Sequence, residues 1–252
     1  MNRSLRTGAD GAALAMSMFS VAPVRVRRTD RDAAGAAIAL APLVGALVGV
    51  LAGATARGVV ALGGPVLLAG LLAVGIAAAA TRGMHLDGLA DLADGLGCYG
   101  PPERMLAVMR DPATGAFGVV TLVVTVGADA AALGVVTLPG AVVAFALGRV
   151  AFCWCARRGV PAASPDGLGA SVAGTQRVWV APVWTVVVAT AAAAAVPGRW
   201  WQGPVAVGVG AVAAVALAAH AHRRLGGVSG DVFGGVCEVA VAGCLVVLAL
   251  GS

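Results

Sequence analysis

Lysine is absent from the 252 residues, tyrosine occurs once, and Asp and Glu together number only 12. A Walker A loop needs its lysine to reach the outer phosphates of a nucleotide, so that route to phosphate chemistry is closed. Cysteine is sparse and irregularly placed. Cys98, Cys153, Cys155, Cys237 and Cys244 make neither a ladder of pairs nor C-x-x-C spacing, which argues against a disulfide scaffold or zinc site and leaves the thiols as small apolar fillers. No G-x-S-x-G element or Cys/His arrangement marks a covalent hydrolase. Charge of either sign is scarce, at 12% of residues against 60% hydrophobic, and the mean hydropathy is +0.93. Such a chain does not have water as its main solvent.

Apolar runs lie at 33–56, 59–80, 115–137, 139–156, 178–196, 203–222 and 233–250. Each approaches the roughly 20 residues that cross a bilayer core of about 30 Å. The expectation is one all-α integral-membrane domain over residues 1–252, a polytopic bundle of about seven transmembrane helices in a lipid bilayer. Residues 1–24 imitate a signal peptide, with Arg3 and Arg6 before the apolar Gly11–Val24 stretch. No small-x-small cleavage site follows, and the length is marginal for a span, so an N-terminal interfacial or re-entrant helix is expected. No repeat of 20 to 50 residues or second soluble domain is visible. The many glycines and alanines suit close helix packing and leave a homo-oligomer open.

Alternating spans divide the loops into two sets. One holds Arg25, Arg27, Arg28, Arg31, Arg82, Arg104, Arg110, Arg157, Arg158, Arg177, Arg223 and Arg224; the other holds Arg57 and Arg199. Such asymmetry places the arginine-rich set on the cytoplasmic side of a bacterial inner membrane. It also accounts for the net charge of +5 without nucleic acid as a partner. Trp200 and Trp201 beside Arg199 suit the opposite interface.

The few acids are not scattered. Asp87, Asp91 and Asp94 lie in T-R-G-M-H-L-D-G-L-A-D-L-A-D-G, and helical geometry places them within an arc of about 60°. Three carboxylates on one face repel unless a hard cation or arginines sit among them. An all-oxygen donor set favours Mg2+ or Mn2+ over zinc, although a solvated acidic face has the same pattern. Asp111, after Arg110 and before Pro112, reads either as a further ligand or as the cap of the next helix. His85 falls on the opposite side of the helix, as a phosphate-contacting or supporting residue.

A second polar island runs from Arg223 to Glu238. Arg223 and Arg224 can hold phosphate oxygens through planar forks or simply anchor the preceding helix. Asp231 and Glu238 share a face, and a Glu this deep in a span must face the bundle interior. Asp129 stands alone in its span and reads as structural or cavity-lining. Gly95–Gly100 matches G-x-G-x-x-G, yet it follows an acidic helix where a dinucleotide site needs a strand.

Three separated stretches, H-L-D-G-L-A-D-x-A-D-G, M-x-D-x-x-x-G-x-F-G and R-R-L-G-G-x-x-G-D-x-x-G-x-x-x-E, resemble the cobalamin-5'-phosphate synthase family. Pro42 to Gly45 and Leu147 to Arg149 follow the same order, so the likeness runs from about residue 40 to 240. Ser20 and Ala22-Pro23 depart from the T-R-L-P-like stretch the family more often carries. The resemblance implies joining of α-ribazole or its 5'-phosphate to adenosylcobinamide-GDP, with release of GMP and with Mg2+. The site expected from residues and resemblance together has metal ligands Asp87, Asp91, Asp94 and Asp111. It has transfer roles for Asp94, Asp111, Arg223 and Arg224, and contacts to the bound groups from His85, Asp231 and Glu238. Asp91 to Gly95 also resembles the opening of CDP-alcohol phosphotransferases, without the Ala-Arg pair expected after it. A cation-coupled transporter would more naturally put its carboxylates near the bilayer midplane.

Overall fold

The computed structural model describes residues 3–251, with side chains from residue 8 onward, so the Arg3 and Arg6 side chains lie outside what is described. Every regular element among the described residues is a helix. They are α1 (Arg3–Phe19), α2 (Arg31–Ala61), α3 (Val66–Ala80), α4 (Met84–Gly97), α5 (Pro102–Met109), α6 (Ala116–Val135), α7 (Leu138–Cys155), α8 (Gly167–Val172), α9 (Val180–Ala192), α10 (Gln202–Leu225) and α11 (Gly230–Ala249).

Five helices, α2, α6, α7, α10 and α11, are each long and apolar enough to cross a membrane. A sixth is reached only if α3 and α4 count together, and these meet at 94°. The reason is local: Arg82 at φ 58° and Gly83 at φ 69° both adopt left-handed backbone, which ends one helix and starts another in a new direction. The apolar run at 59–80 therefore becomes a short helix within the bundle, and α4 turns across its end. The remaining expected span, 178–196, forms only the 13-residue α9, about 20 Å long, and so falls short of the sequence expectation. Its segment still joins the two ends of the bundle. The Gln176 amide donates to the Gly35 carbonyl near the start of α2 (2.7 Å), whereas the Ala195 carbonyl accepts from Thr137, in the turn between α6 and α7 (2.6 Å).

α7 and α11 form the centre, buried along most of their length. Small residues make the close approach possible: a methyl group on Gly49 of α2 would sit 2.7 Å from the Ala141 carbonyl oxygen, and one on Gly210 of α10 would sit 2.6 Å from that of Ala240. The outside is equally apolar. Val119, Val120, Val123 and Val124 on α6, with Val205, Val209 and Val212 on α10, are exposed, a surface suited to lipid.

α1 stays at the arginine-rich end, with Leu14, Ala15 and Phe19 buried and Val21 donating its N–H to the Ala80 carbonyl (2.8 Å). At the opposite end Arg57 donates to the Gly134 carbonyl, Arg199 donates to the carbonyls of Leu250 (3.2 Å) and Gly251 (2.7 Å), and the Gln202 amide donates to those of Val247 and Leu250.

Candidate active site

α4 lies over the N-termini of α6 and α11, outside the spanning helices. Two glycines set its height. A methyl group on Gly88 would meet the Cα of Asp231 at 2.9 Å, and one on Gly234 would meet the His85 carbonyl oxygen at 3.0 Å. The helices cross in backbone contact there. The crossing brings Asp87 and Asp91 of α4 into the field of Asp231, in the first turn of α11. Burial, and then the charges of Asp87, Asp231 and Asp94, push the Asp91 carboxyl up to about 6.

Asp94 turns the other way. Its two oxygens accept the backbone N–H groups of Gly115 (2.7 Å) and Gly118 (2.9 Å) at the start of α6, where a carboxylate is favoured by free N–H groups and the helix dipole. The cap that the sequence offered to Asp111 thus belongs to Asp94. Asp111 is exposed and accepts the Ala113 N–H in a local turn (2.9 Å).

Beside Asp231 opens a cleft of about 510 Å³, lined by Arg110, Ser164, Asp166 and Ser229 among others. Arg110 donates to the Ser164 hydroxyl (3.1 Å) and offsets the charge of Asp231. Sequence reading counted Arg110 only as a topological charge and overlooked Ser164 and Asp166; the position of Arg110 directly before Asp111 was the available signal. The sequence had placed the two arginines of α10 at this site, and successive helical residues cannot both face it. Arg224 donates to the Cys98 carbonyl (3.1 Å) and the Met105 sulfur (3.3 Å), fastening the α4–α5 connection. Arg223 lines a separate cavity of about 150 Å³ with Trp154, Arg157 and His222.

His85 lies on the side of α4 away from the aspartates and Glu238 faces the bundle interior, as their sequence positions implied, although contacts to bound groups were also expected of them. Both are buried, behind α4 in the bundle interior. Arg149 Nη2 lies 3.2 Å from His85 Nδ1. Arginine can only donate, so Nδ1 accepts and the neutral imidazole carries its proton on Nε2. Asp129, which looked solitary in sequence, shares a small cavity with Glu238 and Arg149.

Among the described residues, the group of three potential ligand atoms within 4.8 Å of one another is His85, Cys237 and Glu238. The guanidinium against His85 already supplies positive charge there, which disfavours a metal cation. The face of α4 near Asp231 offers carboxylate oxygens only, with crowded like charges, although Asp87, Asp91 and Asp231 do not form such a group of three within 4.8 Å.

Over residues 11–249 the chain matches the family model described as cobalamin-5-phosphate synthase. It is similar to the adenosylcobinamide-GDP ribazoletransferase of Frankia casuarinae, 38% identical over 262 aligned positions that cover 95% of this chain and 94% of that protein. The enzyme of the same name from a Nocardioides species is 38% identical, with 94% and 96% covered. That from Pseudomonas aeruginosa is 33% identical, also with 94% and 96% covered. No solved structure matches the chain.

Proposed function

The chain belongs to the cobalamin-5-phosphate synthase family, and from that premise we propose that it transfers the cobinamide-phosphate moiety of adenosylcobinamide-GDP to α-ribazole or α-ribazole 5'-phosphate. GMP leaves, and the product is adenosylcobalamin or its 5'-phosphate. The observation that carries a site for this chemistry is the crossing of α4 and α11 at Gly88 and Gly234, which brings Asp87 and Asp91 into the field of Asp231, itself in the wall of a cleft with Arg110. A ribose hydroxyl of ribazole attacks the phosphorus nearest cobinamide, and the bond from that phosphorus to the GMP oxygen breaks in line. Such a reaction asks the protein chiefly for positioning and charge neutralisation.

Asp87, Asp91 and Asp231 fit a Mg2+ ion by donor type and by their mutual repulsion. When bound, the ion neutralises charge on the diphosphate oxygens. Arg110 takes the phosphate-holding role that the sequence assigned to Arg223 and Arg224, its planar fork suiting phosphate oxygens. Asp111, adjoining Arg110 and free of helix capping, is the candidate acceptor for the hydroxyl proton. Asp94 supports the site by fixing α4 to α6.

Purified protein in detergent, given adenosylcobinamide-GDP, α-ribazole 5'-phosphate and Mg2+, should release GMP in step with formation of the completed nucleotide loop. Hydrolysis of adenosylcobinamide-GDP with no product containing ribazole would refute the transferase reading.

The arginine asymmetry supports a cytoplasmic site. Tyr99, beyond the end of α4, and Leu62, at the other end of the bundle, are each 90% exposed. In intact cells a cysteine at position 62 should react with an impermeant maleimide and one at position 99 should not. The opposite pattern would invert the topology.

A further inference from the structure

Three charged side chains outside the transfer site meet in the bundle interior: Arg149 of α7 is 1% exposed, Asp129 of α6 4% and Glu238 of α11 8%. They line a cavity of about 20 Å³, room for about one water. Arg149 Nε and Nη1 and Asp129 Oδ1 are buried without a hydrogen-bond partner in the protein. A guanidinium inside a membrane bundle is costly, and here the Glu238 carboxyl group feels its charge, with Asp129 lining the same cavity. The remaining nitrogen, Nη2, reaches His85 Nδ1 at 3.2 Å. Phe152, one turn beyond Arg149, stacks on the same imidazole at a centroid distance of 5.6 Å and is itself flanked by Phe19 and Phe233. The cluster therefore grips the first turn of α4, which also carries Asp87 and leads directly into Gly88, where α4 rests on α11.

We propose that Arg149 is a positioning residue for the transfer site: through His85 it seats α4 on α11 and so fixes Asp87 and Asp91 relative to Asp231, while Asp129 and Glu238 hold its charge in the apolar interior. The inference rests on the transferase reading for its effect on turnover, but the seating of α4 is a property of the protein alone. Because a helix moves as a rod, a shift at His85 reaches the carboxylates two and six residues further on. A displacement of about 1 Å at reacting groups lowers turnover on the order of 100-fold.

Arg149→Met alone leaves two buried carboxyl groups without their counter-charge, so loss of folding is an expected part of its phenotype. The informative protein is Arg149→Met combined with Asp129→Asn and Glu238→Gln, which removes the charges together. Its thermal stability in detergent should recover most of what Arg149→Met loses. Its kcat should stay on the order of 100-fold below wild type, with KM for adenosylcobinamide-GDP within a few-fold. Independently of turnover, Cys98 at the end of α4 is the half-buried member among five free cysteines, the other four being buried. Its labelling by maleimide should quicken several-fold in the combined variant as α4 loosens. Wild-type kcat in that variant would reduce Arg149 to charge balance, and an unchanged Cys98 labelling rate would overturn the seating of α4 even if the transferase assay itself failed.

Discussion

Asp91→Asn should lower the rate of GMP release by about 10² to 10³-fold while leaving the folded protein intact. The substitution keeps the shape of the side chain and removes the charge most crowded by other carboxylates, those of Asp87, Asp231 and Asp94. Removing an electrostatic partner of a transition state costs on that order. Stability should hold or improve slightly, since a repulsive charge is lost. Asp94→Asn is the instructive comparison. Its carboxylate receives two N–H groups at the start of α6, one on each oxygen, so the amide, with one acceptor oxygen and no charge for the helix dipole, should cost about 1 kcal/mol of stability with a much smaller effect on turnover. GMP release and thermal unfolding, measured on both variants, separate the roles. If Asp94→Asn lost turnover as completely as Asp91→Asn and kept full stability, Asp94 would be a ligand after all, as the sequence suggested.

The second large effect is steric. In Gly88→Ala the added methyl group would lie 2.9 Å from the Asp231 Cα and 3.1 Å from its carbonyl oxygen, and neither backbone atom can swing aside. α4 and α11 must part. Overpacking of this kind costs about 1 to 3 kcal/mol. Because the parted helices carry the clustered aspartates, turnover should fall by about 10 to 100-fold, more than the loss of stability accounts for. Gly75→Ala on α3, where an added methyl group meets nothing within 4 Å, is the control and should be neutral or mildly stabilising. Equal, small effects at both positions would show that the crossing is slack and that the aspartates do not depend on it.

What sequence could and could not reveal follows from the range of each interaction. Hydropathy is a local sum, so α2, α6, α7, α10 and α11 were legible as spans. The failure at α9 arose because its apolar run includes residues that unwind into turns before Pro197 and Gly198, and composition does not register that. The shared face of Asp87, Asp91 and Asp94 was legible from helical period alone. The division of labour among them was not, because Gly115 and Gly118, which claim Asp94, lie more than twenty residues away. Asp129, Arg149 and Glu238 come from three helices, and no periodicity within one helix could announce their meeting. The family motifs did preserve the consequences of such contacts: the glycines of D-G-L-A-D and G-D-V-F-G-G are the two surfaces that touch at the α4–α11 crossing.

The carbonyl ties made by Arg57, Arg199 and Gln202 at the end opposite the aspartates bear on how so large a corrinoid is admitted. They join α2 to the end of α6, and the start of α10 to the end of α11, so that end behaves as a clasp. At the aspartate end, α5 has only eight residues, half of them exposed, and the 157–177 connection carries only one short helix. Few buried contacts and short elements are what local opening draws on. Backbone hydrogen exchange in detergent should therefore begin at the aspartate end, in α5, before it reaches the clasped end.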